Sequence, residues 1–164
     1  MRRVVVAGVG QTLRRDDGAG PAAVRCWREK FPATAARDEV RVEIEDLPGL
    51  ALLDTLAGCD AAVVVDAVRS GAGPGTLHVI EENGAEPFGP GAGSAHGWGV
   101  AETIALGRRL FPERLPPRLV LIGIEAGSVD PGESLSPAVR QALPEASRLI
   151  EQQVARYLEA VEVE

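Results

Sequence analysis

Residues 3–20 read RVVVAGVGQTLRRDDGAG, and this stretch decides how the fold begins. The apolar, β-branched run Val4–Val6 predicts a buried strand, which ends at a glycine-flanked turn around Val9. Asp16 and Asp17 follow immediately before a predicted helix. In open α/β sheets the carboxyl ends of the strands form the edge where ligands bind. The stretch therefore predicts a strand that delivers acidic side chains to that edge.

The same stretch has two other interpretations. Gly8-Val9-Gly10 is how a dinucleotide-binding fingerprint begins, but Leu13 stands where the third glycine belongs. The two aspartates would also repel a pyrophosphate at the helix N-terminus, so nucleotide binding is not expected. A purely structural role stays open, because aspartate is favoured at helix caps and in first turns. That alternative is stronger for Asp16 than for Asp17.

Composition and charge narrow the class of protein. The 164 residues are 45% hydrophobic but only 4% aromatic, which predicts one domain over residues 1–164 with an aliphatic core. A net charge of −7 argues against nucleic acid or an anionic membrane as partner. No run is long enough to span a membrane or to form a secretory signal. Cys26 and Cys59 lack metal-binding spacing and are expected to be buried thiols in a reducing cytoplasm.

The periodicity of apolar residues predicts the remaining elements. Thr76–Glu81 is expected to form a strand pair with the strand before it, antiparallel because the connection is too short for a helical crossover. The order of the elements predicts a three-layer α/β/α sandwich with a mixed, mostly parallel sheet of about five strands. The other expected elements are a helix from Ala19 to about Phe31, an edge strand 39–45, a short helix 50–57, buried strands 60–68 and 118–124, and a closing helix that Ser136 caps before Pro137.

Two further candidate residues lie at predicted element ends. Asp66 comes where a continuously apolar strand ends, although capping the following loop would be a structural alternative. Ser94 is expected to cap a helix after a long loop, which would put His96 in the first turn. The helix dipole there would favour neutral imidazole, the form that binds metal or accepts a proton, although capping or packing stays open. His78 lies in an alternating run and is expected to be a sheet-face residue and not a ligand.

Asp17, Asp66 and His96 are distant in sequence, so only the fold could bring them together. Two carboxylates and one imidazole suit a borderline divalent ion such as nickel, zinc or cadmium. The sequence contains no H-E-x-x-H helix, no G-x-S-x-G elbow and no Walker loop. A metal-assisted site at the carboxyl edge of the sheet is therefore the prediction.

Several segments together resemble the hydrogenase maturation endopeptidases. The opening segment is similar to that family's signature G-x-G-N-x-L-x-x-D-[DE]-G-x-G, and four later segments match further motifs. The resemblance implies an α/β sandwich enzyme that removes a C-terminal extension from the large-subunit precursor of a [NiFe] hydrogenase after nickel insertion. It also implies that Asp17, Asp66 and His96 contact the nickel, which belongs to the substrate and serves as the recognition mark. The matching segments are residues 8–20, 64–68, 94–97, 122–125 and 135–139.

The sequence departs from the family pattern at two places. Gln11 replaces the usual asparagine, and residues 46–49 read DLPG where many members have D-G-G-T.

Two mechanisms of hydrolysis are open. The metal could polarise the scissile carbonyl or activate water while a carboxylate moves protons. Alternatively, the metal only positions the tail and another group performs the hydrolysis. The competing function is a nickel-dependent checkpoint that binds a hydrogenase precursor without cutting it.

Overall fold

The fold is that of a computed structural model, which describes residues 3–46, 49–82 and 99–160. The described chain contains five strands and five helices, and 3₁₀ turns at Arg15–Gly18 and Pro112–Arg114 precede α1 and β5. In chain order the elements are β1 (Val4–Val9), α1 (Ala19–Lys30), α2 (Pro32–Ala35), β2 (Val40–Glu45), α3 (Ala51–Leu56), β3 (Ala61–Val68), β4 (Leu77–Glu82), α4 (Val100–Leu110), β5 (Arg118–Glu125) and α5 (Pro137–Glu159).

The five strands form one sheet in the order β2-β1-β3-β5-β4. Strands β2, β1, β3 and β5 are parallel to one another, and β4 runs antiparallel to β5. This confirms the predicted mixed sheet and the edge position of β2. The direction predicted for β4 is right, but the predicted pairing is wrong, because β4 lies beside β5 and not beside β3.

Helices cover both faces of the sheet and create two apolar cores. On β3, Val63 and Val65 pack on the side of α1 and α5, in the same cluster as Trp27. The alternate residues Ala62 and Val64 pack on the side of α3 and α4. A strand whose two faces are both covered must be apolar throughout, which explains the uninterrupted run in β3. Trp27 is fully buried, and its indole N–H donates to Glu151 at 2.7 Å.

The helix starts agree with the sequence in one case and differ in another. Ser136 is the N-cap of α5 and Pro137 its first residue, as predicted, and Pro144 is accommodated within the same helix. By contrast, α4 begins at Val100 with Gly99 as its N-cap. The prediction that Ser94 caps this helix is therefore wrong, and the dipole argument for His96 loses its basis. No described helix is both long and apolar enough to cross a membrane.

Candidate functional site

Asp66 lies at the carboxyl edge of the sheet, where the sequence predicts it. It is in register with Val9, near the end of β1, and with Gly123 of β5. Because side chains alternate along a strand, Asp66 shares the α4 face with Ala62 and Val64. Its side chain is 1% exposed, so the carboxylate is held inside the protein near the centre of the sheet.

Asp17 lies in the 3₁₀ turn that leads into α1, and it is also only 1% exposed. The backbone N–H of Gln11 donates to its Oδ2 at 2.9 Å. The close approach of the two segments requires glycine at position 10, where φ is +145° and a Cβ would lie 1.8 Å from the Asp17 carbonyl oxygen. The turn after β1 therefore folds directly over Asp17.

The start of α1 carries Asp17 to the same edge as Asp66. A Cβ on Gly20 would lie 2.3 Å from the carbonyl oxygen of Val65 and 2.6 Å from that of Val9. Helix α1 thus begins against the carboxyl ends of β1 and β3, and the 3₁₀ turn contacts β3. The structure brings these two predicted residues to one edge of the sheet, on neighbouring strands and connections.

Asp16 has a different role, because both oxygens of its carboxylate accept hydrogen bonds from other parts of the protein. It is fully buried and accepts hydrogen bonds from the backbone N–H groups of Gly127, Ser128 and Ser136 at 2.7, 2.9 and 2.7 Å. The Ser136 hydroxyl donates a fourth, at 2.7 Å. Burial raises the pKa of Asp16, but these donors outweigh it and leave the pKa below its ordinary value. Asp16 therefore fastens the turn before α1 to the segment before α5.

Backbone pairing strengthens the same connection. Gly132 donates its N–H to the carbonyl oxygen of Leu13 at 2.9 Å and accepts from the N–H of Arg15 at 2.8 Å. Arg15 adopts a backbone φ of +47°, which is unusual for a residue other than glycine. Residues 13–15, which lead directly into Asp16 and Asp17, are thus hydrogen-bonded to the segment around Gly132.

Glu125 is a buried acid at this edge that was not among the predicted site residues. It ends β5, is 2% exposed and accepts from the backbone N–H of Ser70 at 2.9 Å and from the Ser70 hydroxyl. His78 Nε2 lies 3.3 Å from Glu125 Oε1. Burial raises the pKa of Glu125, but its hydrogen bonds to Ser70 and His78 leave it lower than usual. The signal that could have found Glu125 is the one that identified Asp66, an acid at the end of an apolar strand.

The third predicted residue, His96, lies outside the described residues, as do Leu47 and Pro48 of the departing motif. Within residues 3–46, 49–82 and 99–160, no three His, Cys, Asp or Glu side chains are grouped so that they could hold a metal ion. The two described candidates supply carboxylate oxygens, which suit a divalent cation and disfavour an anion. An added imidazole would complete a donor set that accepts nickel or zinc.

Comparison with known proteins agrees with this architecture. The hydrogenase maturation protease family model matches residues 38–153. The chain is 35% identical to the hydrogenase expression/formation protein HupD of Rhodobacter capsulatus, over 84% of this chain and 64% of that protein. It is 27% identical to the hydrogenase 2 maturation protease of Escherichia coli, over 84% of this chain and 81% of that protein.

A solved structure extends the similarity to the whole fold. The [NiFe] hydrogenase maturation protease HybD from Thermococcus kodakarensis superposes with a TM-score of 0.70 at 25% identity, over 93% of this chain and 99% of that one. The α/β sheet, the edge that carries Asp17 and Asp66, and the match of the family model lead to one conclusion: this chain belongs to the hydrogenase maturation protease family.

Proposed function

We propose that this protein is an endopeptidase that removes the C-terminal extension of a [NiFe] hydrogenase large-subunit precursor after nickel has been inserted. The observation that carries the proposal is the pair of buried carboxylates, Asp17 and Asp66, at the carboxyl edge of the sheet in a chain of this protease family. Nickel is part of the substrate in this proposal and marks a precursor that is ready to be cut.

The proposed active-site residues are Asp17, Asp66 and His96, and their shared task is to contact the nickel. Asp17 and Asp66 are each 1% exposed and bring two carboxylate groups to one edge of the sheet. Carboxylate oxygens are ligands for a divalent ion, so the pair would attract one that arrives with the substrate. The protein would therefore bind a nickel-loaded precursor more tightly than an empty one, which gives the reaction its selectivity. Cadmium or zinc would substitute for nickel in a crystal because both accept the same donors.

We also infer a cytoplasmic location for the reaction. Cys26 and Cys59 are both free thiols, and free thiols are typical of reducing compartments. The net charge of −7 favours a protein partner over nucleic acid. The partner in the proposal is the precursor itself, in its nickel-loaded state.

The test is cleavage of a purified large-subunit precursor, loaded with nickel or left empty, followed by mass spectrometry. The proposal expects loss of a C-terminal peptide only from the nickel-loaded precursor. A nickel-dependent complex in which the precursor keeps its full mass would instead support a non-cleaving checkpoint. Cleavage of both forms at equal rates would refute recognition through nickel.

A pair of variants on one strand assigns the site. Asp66→Asn should reduce nickel-dependent binding and cleavage at least about a hundredfold, because it removes the charge that the cation requires. Asp60→Asn is the matched control, since Asp60 lies just before the start of β3, at the opposite end of the strand, and accepts a hydrogen bond from the N–H of Arg3. Equal activity of Asp66→Asn and Asp60→Asn would refute the assignment of Asp66.

A further inference from the structure

The strand pairing puts His78 at the same edge and on the same face of the sheet as Asp66. Asp66 is in register with Gly123 of β5, and Gly123 is in register with His78 of β4. Residues opposite each other on neighbouring strands project to the same face, so His78 and Asp66 face the same side with a glycine between them. Two strand spacings separate their Cα atoms by about 10 Å.

Gly123 lies between Asp66 and His78 in the sheet, and there is little room for a side chain at this position. A Cβ at this position would lie 3.0 Å from both methyl groups of Val68 and 3.6 Å from the Cβ of His78. Any larger residue would press on His78 and on Val68. The methyl groups of Val68 therefore lie over Gly123, on the face that Asp66 and His78 share.

His78 is oriented by a buried carboxylate that is itself fixed. Its Nε2 lies 3.3 Å from Glu125 Oε1, and Ser70 donates both its N–H and its hydroxyl to the same carboxylate. An ionised carboxylate only accepts hydrogen bonds, so we assign Nε2 as the donor to Glu125. Nδ1 is then the nitrogen left to exchange a proton. The His78 side chain is 29% exposed, which makes it accessible to a bound chain.

Peptide hydrolysis needs a group of this kind if the proposed function holds. Water must lose a proton as its oxygen bonds to the scissile carbonyl carbon, and the departing amine must gain one as the C–N bond breaks. Asp17, Asp66 and His96 are engaged with the nickel in the proposed function, so they are poorly suited to carry that proton. Among the described residues, His78 is the one histidine.

We propose that His78, held by Glu125, is the proton carrier of the reaction. Its Nδ1 takes a proton from the attacking water as the C–O bond forms. The same nitrogen returns that proton to the amine nitrogen as the C–N bond breaks, so that the imidazole ends the cycle as it began. His78 is thus a catalytic residue that acts beside the nickel site, and Glu125 is a positioning residue that acts through His78.

The experiment measures steady-state cleavage of a nickel-loaded precursor by His78→Gln, Glu125→Gln and the control Glu81→Gln. We expect His78→Gln to lower kcat at least a hundredfold and to leave KM within threefold, because proton transfer is lost while the nickel contacts remain. Glu125→Gln should lower kcat about tenfold. Glu81 lies on the same strand as His78 but at its other end, away from the carboxyl edge of the sheet, where it pairs with Arg156. Its variant should therefore retain full activity.

A second variant separates proton transfer from a structural role. His78→Ala should regain part of its kcat when imidazole is added, whereas added imidazole should not change the wild-type rate. Circular dichroism and nickel-dependent precursor binding verify that each variant is folded. A kcat for His78→Gln within threefold of wild type overturns the proposal, as does a large loss in His78→Ala that imidazole cannot restore.

The controls also distinguish this proposal from the proposed function. If the wild-type protein binds the nickel-loaded precursor and never cuts it, the protease activity itself is refuted, and the role of His78 falls with it. If the wild type cuts and His78→Gln cuts equally fast, only the proton-carrier role is overturned.

Discussion

Replacing Asp16 by asparagine tests how the candidate site is held in place. In the native protein, Oδ2 of Asp16 accepts three hydrogen bonds and Oδ1 accepts one. Asparagine has a single oxygen, and its NH₂ group can only donate. With its oxygen in the place of Oδ2, the amide would keep three acceptor contacts and direct its NH₂ at the backbone N–H of Ser136.

The size of the effect follows from those contacts. Losing a hydrogen bond to a charged acceptor costs about 1.5–3 kcal/mol, and the donor left buried without a partner adds to this. The three remaining bonds also become weaker, because they no longer involve an ionised group. We expect Asp16→Asn to lower the free energy of unfolding by about 3 kcal/mol, which a domain with about 5–15 kcal/mol in total would survive.

Urea unfolding followed by circular dichroism measures this change, with Asp130→Asn as the matched control. Asp130 lies in the same segment, but it is exposed, and its carboxylate accepts a hydrogen bond from the Ser128 hydroxyl at 3.3 Å. The control should change the free energy of unfolding by less than about 0.5 kcal/mol. A loss below about 1 kcal/mol for Asp16→Asn, or equal losses in the two variants, would show that the four contacts do not fasten this segment.

Three further predictions concern other parts of the molecule. Gly20→Ala should destabilise the protein by about 3 kcal/mol or more in the same urea assay, because its methyl group would lie 2.3 Å from the carbonyl oxygen of Val65; a smaller loss would mean that α1 can move away from the sheet. The lowered pKa of Glu125 contributes stability above its ordinary value of 4.5 that is lost as pH falls through the folded-state value. The stability difference between wild type and Glu125→Gln should therefore shrink as the pH of urea titrations is lowered from 5.5 to 3, and a constant difference would contradict this. Burial raises the pKa of the Cys59 thiol, so at pH 8 a maleimide should label Cys26 at least about tenfold faster, as peptide mass spectrometry would detect, and equal labelling would contradict the burial of Cys59.

The sequence predicted those features of the fold that depend on local periodicity. The apolar run of β3 and the amphipathic pattern of α1 fixed the elements, and Ser136 with Pro137 marked the start of α5. Each of these signals lies within one element. The layer order followed because strands separated by helices form parallel pairs with right-handed crossovers.

The errors arose where distant segments decide the outcome. A short connection between β3 and β4 sets their relative direction, but not which strand lies between them. Ser94 is a good capping residue, yet α4 begins at Val100 because propensity at one position does not determine where a helix starts.

The candidate site shows the same division. Asp17 and Asp66 were predicted as site residues because each comes after a β-branched run, a signal that can be read locally. The role of Asp16 could not be predicted, since its donors at 127, 128 and 136 lie more than a hundred residues away in the chain. Glu125 offered a local signal at the end of β5, but its partners Ser70 and His78 come from a loop and a strand far away in sequence.

The insertion of β5 between β3 and β4 has a consequence for how the protein is made. On the ribosome, β3 and β4 emerge well before β5, so both wait with open hydrogen-bonding edges until the last strand arrives. Exposed edges of this kind invite pairing with other chains. A polypeptide interrupted before residue 118 would hold Asp66 on an unfinished sheet, and we expect such fragments to need chaperones or to aggregate.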